Sequence, residues 1–349
     1  MKPKLPELKH VKKYLIEMER NRVYSNNGPL VQRLENRFAD YFELDKDLVV
    51  LCSSATTALQ GAAFLIPMRE FSVPAFTFTA SITGIMNSGK KIDLQDIGLH
   101  DWKVTAIQQN AEKALVEVLP FGAPLKMNEN VDWDYKIIDA AASIGADPHQ
   151  LDKMKTNWVT IYSLHATKLM GLGEGGIAIF KSKNFAQEFR RWINFGFAGD
   201  RNSSLPGING KMSEITAAYG HAVLDQWDNE KILREKIRDK VNKISADLSI
   251  ESITHFYPGI NPYWIADFKD SHTANRVEKI LISNKIETRR WWSFGCHKMP
   301  AFSNLSAGKN FPNTEAVASR TLGLPTFVDL SNSQLDSIRH GLENALSIS

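Results

Sequence analysis

Several short segments of this chain are apolar at every position rather than at alternate ones, and that pattern restricts the fold more than any other feature. Leu48-Val49-Val50-Leu51, Val159-Thr160-Ile161-Tyr162 and Gly176-Ile177-Ala178-Ile179-Phe180 show it most clearly. A strand with no polar face must be covered on both sides, which in practice means helices packed on both faces of a parallel sheet. Further strand candidates are Phe71–Val73, Ile92–Leu94, Ala114–Val118 and Ile137-Ile138, and amphipathic helical patterns such as Leu30–Tyr41 and Thr56–Phe64 lie between them. The alternation predicts an α/β fold built on a large, mostly parallel sheet.

From about Met212 to Leu248 the sequence reads as a long, charge-rich helix or pair of helices with few breakers, the kind of segment that bridges two domains. The pattern then restarts with a strand near Tyr263–Ala266, a helix near Thr273–Ser283, a strand near Glu287–Trp292 and a last helix near Gln334–Leu346. We therefore expect a large domain over residues 1–235 and a small C-terminal α/β domain over 236–349, which a chain of 349 residues can accommodate. A net charge of +3, with basic residues scattered among acidic ones, argues against nucleic acid as a partner. Cys52 and Cys296 lack metal-ligand spacing and suggest neither a zinc site nor a disulfide framework, so a reducing compartment is expected. The segment Met1–Pro6 lacks a signal peptide's apolar core, and no apolar run approaches the roughly 18 residues of a membrane span. No membrane or metal partner and a cytoplasmic location are the expectations.

The chemistry is concentrated around one lysine. Lys168 closes the run Tyr162-Ser163-Leu164-His165-Ala166-Thr167-Lys168. Upstream lies an apolar strand ending in an aspartate, Lys136-Ile137-Ile138-Asp139. Downstream, Gly171-Leu172-Gly173-Glu174-Gly175-Gly176 reads as a tight backbone turn. Alone, Lys168 would be a solvated surface lysine. A carboxylate at a strand end, a lysine flanked by Ser, His and Thr, and a glycine hinge together form the set that pyridoxal phosphate needs. The lysine forms the Schiff base, and the aspartate keeps the pyridine nitrogen protonated. The cofactor's phosphate needs N–H donors at a helix start together with hydroxyls. Ser53-Ser54-Ala55-Thr56-Thr57, opening a helix after the first apolar strand, fits that need, although taken alone an ordinary Ser/Thr cap is the better explanation. Ser163 offers a second hydroxyl. Pro74-Ala75-Phe76-Thr77-Phe78-Thr79-Ala80 places aromatic rings at a strand-to-helix turn, as stacking groups or as core.

In this order the blocks resemble the DegT/DnrJ/EryC1/StrS family of sugar aminotransferases, a branch of the fold-type I pyridoxal phosphate enzymes. The likeness begins at Tyr24–Val31 with Leu34-Glu35. It continues through Ser54–Leu59, Pro74–Ala80, Phe121–Pro124, Asp139–Ala146, Ser163–Lys168 and Gly173–Gly176 to Gly207–Glu214. Thr288–Trp292, His297 and Leu322–Pro325 complete it.

The resemblance implies roles. Lys168 matches the Schiff-base lysine and proton shuttle, and Asp139 the partner of the pyridine nitrogen. Thr56, Thr57 and Ser163 match phosphate contacts, and Phe78 the stacking ring. Asn209 matches a residue that reaches the phosphate from the second subunit of a homodimer with shared active sites. Asn26, Arg289, Trp291, Trp292 and His297 are the substrate-binding candidates, although aromatic packing of a buried strand would account for the last three. Three positions depart from the family pattern. Ala142 stands where Gln often contacts the phenolic oxygen, Ala55 where Gly is common in the phosphate loop, and Lys211 where Arg often precedes Met. The family further implies L-glutamate as donor and a nucleotide-linked keto-6-deoxyhexose as acceptor. Lys211-Met212-Ser213-Glu214 and the Trp291-Trp292 pair look more like the members that aminate C4 than those that act on C3. A branch that dehydrates instead carries His at the position of Lys168, and a sensor or scaffold would not need both Lys168 and Asp139.

Overall fold

The computed structural model describes residues 2–104, 112–125, 133–146, 150–257 and 259–347. Helices α1 (Leu8–Asn21) and α2 (Pro29–Tyr41) precede strand β1 (Val49–Cys52). Then follow α3 (Ala55–Leu65), β2 (Glu70–Pro74), α4 (Thr79–Asn87), β3 (Lys91–Gln95), β4 (Lys113–Val118), β5 (Lys136–Asp139), β6 (Trp158–Ser163), β7 (Gly176–Phe180) and α5 (Lys183–Trp192). The seven strands form one sheet in the order β1-β7-β6-β5-β4-β2-β3. Strands β2 to β6 run parallel to one another, and β7 is antiparallel to both β1 and β6.

The unbroken apolar runs are explained by two cores, one on each face of the sheet. Val49, Leu51, Ile177 and Ile179 point into the core beneath α1, α2 and the start of α6 (Glu214–Asp247). Their neighbours Val50, Cys52, Ala178 and Phe180 point into the core beneath α3, α4 and α5. Successive residues of a strand face opposite ways, so a strand covered on both sides has no face turned to solvent.

Helix α6 is one uninterrupted helix of 34 residues rather than a pair. Ala217, Ala218, Ala222, Val223 and Trp227 belong to the first core. Further along, Ile237, Val241 and Ile244 belong to a separate core around β8 (Trp264–Asp267), α7 (Ser271–Ser283), β9 (Thr321–Leu324) and α9 (Asn332–Leu346). Strands β8 and β9 form a two-stranded antiparallel sheet, and α8 (Pro312–Arg320) leads into β9.

The strand expected over Glu287–Trp292 does not form. Arg289 exchanges both backbone hydrogen bonds with Gly323, at 3.0 and 2.8 Å, as an isolated bridge. Trp292 and Ser293 then turn the chain with φ of 58° and 56°, which no strand tolerates. Among the described residues no helix is long and apolar enough to cross a membrane.

Candidate active site

The parallel strands β4, β5 and β6 end side by side, and in open α/β sheets the ligand crevice lies beyond such carboxyl ends. Asp139 is the last residue of β5 and Ser163 the last of β6. Lys168 follows in a turn that the glycine loop pins from outside. The N–H groups of Leu164 and Ala166 donate to Gly175 and Gly173, and that of Lys168 to His165. Glycine is required at two points here. Gly173 has φ +114°, and a side chain at Gly171 would meet the Ala166 carbonyl at 2.6 Å. The sequence pairs a lysine with glycines because the turn that presents the amine can close only in this way. Beside it, His165 Nδ1 contacts Thr167 Oγ1 at 2.9 Å.

Asp139 is buried to 6% exposure. Its Oδ2 accepts the Ser81 hydroxyl at 2.6 Å and its Oδ1 the Ala141 N–H at 3.1 Å. Ser81 in turn contacts the Thr77 hydroxyl at 2.8 Å. Burial pushes the carboxyl above its ordinary range, while Ser81, the Ala141 N–H and the charge of Lys168 pull the other way. Lys168 does not bond to this carboxylate. Its Nζ donates to the Tyr263 hydroxyl at 2.8 Å.

A buried carboxylate whose two bonds come from uncharged donors, facing a lysine held elsewhere, is a site that favours a cationic group opposite it. The protonated pyridine of pyridoxal phosphate is such a group, and the residues fit it. At the other end, the first turn of α3 supplies phosphate donors. Ser54 caps the helix by accepting the Thr57 N–H at 3.1 Å, and the Thr57 hydroxyl is shared with Ser53 and Ser54 at 3.0 Å each. Thr57 is thus held in the cap network, whereas Thr56 makes no side-chain hydrogen bond among the described residues. Ser163 Oγ is buried and accepts the His165 N–H at 3.2 Å.

The remaining candidates fall into separate places. Phe78 is the residue before α4 and is 59% exposed, free to cover a flat ligand. Asn209 is exposed, in a loop whose Gly210 carbonyl accepts the Ser53 N–H at 2.8 Å. Asn26 is exposed in a left-handed conformation just before α2. Arg289 is exposed, with its guanidinium 5.0 Å from the Trp291 ring. Both line a cleft of about 520 Å³ that Tyr263 also lines. Trp292 instead stacks on Phe121 at 4.4 Å and packs edge-on to Phe76 at 4.7 Å. His297 is buried on Phe311, with its Nε2 3.2 Å from Glu315. The five substrate candidates therefore do not all line one cleft: Arg289 and Trp291 do, and Trp292 and His297 pack elsewhere. Arg290 is held by Glu278, Asn275 and the Ser319 carbonyl. Both cysteines are buried, their thiols pushed up to about 12.

Sequence reasoning missed Tyr263, Ser81 and Thr77. A tyrosine opening an apolar strand carries no signal of a polar contact. The hydroxyls of Thr77 and Ser81, four residues apart at a helix start, could have been found.

This sheet order, with a buried carboxylate ending one central parallel strand and a lysine in the turn beyond the next, is the fold-type I arrangement of a pyridoxal phosphate-dependent aminotransferase. The sequence profile of the DegT/DnrJ/EryC1/StrS aminotransferase family matches residues 7–343, and the chain belongs to that family. A dTDP-4-amino-4,6-dideoxy-D-glucose transaminase of Shigella dysenteriae is 26% identical over 96% of this chain and 95% of its own. A GDP-perosamine synthase of Escherichia coli O157:H7 is 27% identical over 93% and 92%. Among solved structures, a DegT DnrJ EryC1 StrS aminotransferase from Brucella abortus superposes with a TM-score of 0.81, at 20% identity, over 96% of this chain and 95% of its own.

Proposed function

We propose that the chain transfers the amino group of L-glutamate to the keto carbon of a nucleotide-linked 4-keto-6-deoxyhexose, dTDP-linked by preference. The product is then a 4-amino-4,6-dideoxy sugar for a surface glycan. The observation that carries the reading is the pairing of Lys168 with a buried Asp139, bonded only by uncharged donors, in a chain whose full-length relatives are named as nucleotide-sugar transaminases and synthases.

Bound pyridoxal phosphate supplies the electron sink that makes the α-proton of an amino donor acidic. Asp139 holds a proton opposite its carboxylate and keeps the positive charge in place. Ser81 and the Ala141 N–H fix the plane of that carboxylate. The Nζ of Lys168 takes the α-proton of the donor and returns a proton to the product carbon. Thr56, Thr57, Ser163 and the first turn of α3 hold the phosphate, and Phe78 covers the ring. Ala142 offers no side-chain hydrogen bond where related chains use Gln. Arg289 and Trp291, in their cleft, suit an anionic, ring-bearing substrate. Asn26 stays a substrate candidate with them, while Trp292 and His297 shape the site through their packing on Phe121, Phe76 and Phe311.

Two further elements belong to this reading. The chain divides near residue 235, inside α6 between the two cores that helix joins. It works in the cytoplasm as a homodimer in which Asn209 reaches the partner's site, and exposed Phe195 and Ile215 near the Asn209 loop favour a covered face there. The GDP-perosamine synthase relative favours one second reading, a GDP-linked acceptor. Mass spectrometry of products from glutamate and a panel of dTDP-, UDP- and GDP-linked 4-keto and 3-keto sugars separates these. Conversion of the dTDP-linked 4-keto sugar is expected. Turnover confined to a GDP-linked or 3-keto acceptor would replace the substrate and leave the aminotransferase intact.

A further inference from the structure

Tyr263 and Lys168 lie 95 residues apart in sequence and meet at a single hydrogen bond of 2.8 Å, with Nζ 5.5 Å from the centre of the tyrosine ring. Tyr263 comes from the segment that leads into β8, on the side of the small sheet, whereas Lys168 stands on the large one. The ring is fixed from three directions. It meets Phe121 edge-on at 5.5 Å and Trp291 edge-on at 5.1 Å, and its own backbone N–H is taken by Asn261 Oδ1 at 2.8 Å. So many constraints on one tyrosine place its hydroxyl at a defined point.

We propose that Tyr263 is a positioning residue for Lys168, holding Nζ at one point near Asp139 whenever the amine is not bonded to the cofactor. The inference rests on the reading of Lys168 as the cofactor lysine. In turnover the amine must leave the cofactor, handle a proton and return. A lysine side chain loses much conformational freedom each time it is placed, so a fixed partner raises the fraction of time it is correctly aimed. A phenol suits the task because its hydroxyl can accept from an ammonium and donate to a neutral amine, so one partner serves both states. Tyr263 also lines the cleft that holds Arg289 and Trp291. A substrate seated there touches the ring whose hydroxyl holds the lysine.

The test uses cofactor-free full-length protein mixed with pyridoxal phosphate, with capture followed by growth of the visible band. Tyr263→Phe keeps the aromatic edges and removes the hydroxyl. It should slow capture about tenfold, the order expected for one lost hydrogen bond to a charged group. In the loaded enzyme kcat should fall comparably while KM for glutamate stays within about twofold, a split that general structural damage would not give. Asn261→Ala, which loosens the ring and leaves the hydroxyl, should slow capture in the same direction by less, and it carries the test if the phenylalanine variant does not fold. Capture and kcat within twofold of wild type in a folded variant would overturn the inference. So would a raised KM with unchanged kcat, which would make Tyr263 a donor contact. Borohydride labelling of the wild type on a lysine other than Lys168 would remove the underlying reading and this inference with it.

Discussion

At Asp139 the competing terms are legible one by one. Burial opposes the charged form, and two hydrogen bonds and the Lys168 charge only partly offset it, so the carboxyl of the folded, cofactor-free chain keeps its proton to higher pH than that of the unfolded chain. A raised carboxyl contributes stability that is complete below the ordinary value of about 3.9 and is lost as pH rises through the folded value. Asp139→Asn should therefore become more stable relative to wild type, in cofactor-free protein, as pH rises from 3 to 7, read in thermal melts at the two pH values. A difference from wild type that is equal at both would mean that folding does not raise this carboxyl. The same substitution should cost roughly a hundredfold or more in turnover, since the proton opposite the carboxylate is no longer held. The places of Asp139, at the end of β5, and of Lys168, in the turn five residues beyond the end of β6, could be read in the sequence because hydropathy marks where each strand stops. Tyr263 could not, because its contact depends on how the small sheet lies against the large one. His297 shows the same limit from the other side. Its neighbours in sequence made it a substrate candidate, and its neighbours in space are Phe311 and Glu315.

Among the elements, the start of α2 shows why a family-like block can be architectural. The helix begins after Gly28, which has no side chain to cap it. The Glu214 carboxylate, from the first turn of α6, accepts the Leu30 and Val31 N–H groups at 2.9 Å each. A side chain at Gly28 would meet Val23 at 2.6 Å and Glu214 at 2.7 Å, so this glycine answers to space and not to backbone strain. Ser213 caps α6 by accepting the Thr216 N–H at 3.1 Å. The Gly28-Pro29 opening and the Ser213-Glu214 pair, parts of the blocks that resemble the family, thus hold two helices together. Glu214→Gln should cost about 1–3 kcal/mol, because one N–H then faces a donor in a buried site. Urea unfolding with an unchanged m value measures it, and a loss under 0.5 kcal/mol would show that water can replace the carboxylate.

On the scale of the whole molecule, seven strand positions and the long helix were legible because a sheet buried on both faces imposes continuous apolar runs. The bridge at Arg289 was not, since six residues rich in Arg and Trp look like a strand until the turn at Trp292 is seen. The proposed homodimer makes a prediction of its own. Mixing Lys168→Ala with Asn209→Ala under subunit exchange should restore activity to roughly one site in four, because one site of each hybrid pairs an intact lysine with an intact asparagine. No rescue after demonstrated exchange, or a fully active monomer by light scattering, would count against shared sites.

The proposed reaction passes nitrogen from glutamate to C4 of a nucleotide-linked sugar. Incubating the pyridoxal phosphate-loaded enzyme with ¹⁵N-glutamate and dTDP-4-keto-6-deoxyglucose, and reading the product by NMR, tests it in one step. The account predicts ¹⁵N bonded to C4 of the sugar, with 2-oxoglutarate formed in equal amount and neither product seen with Lys168→Ala. Label that remains in glutamate with this acceptor and with the other nucleotide keto-sugars would contradict it.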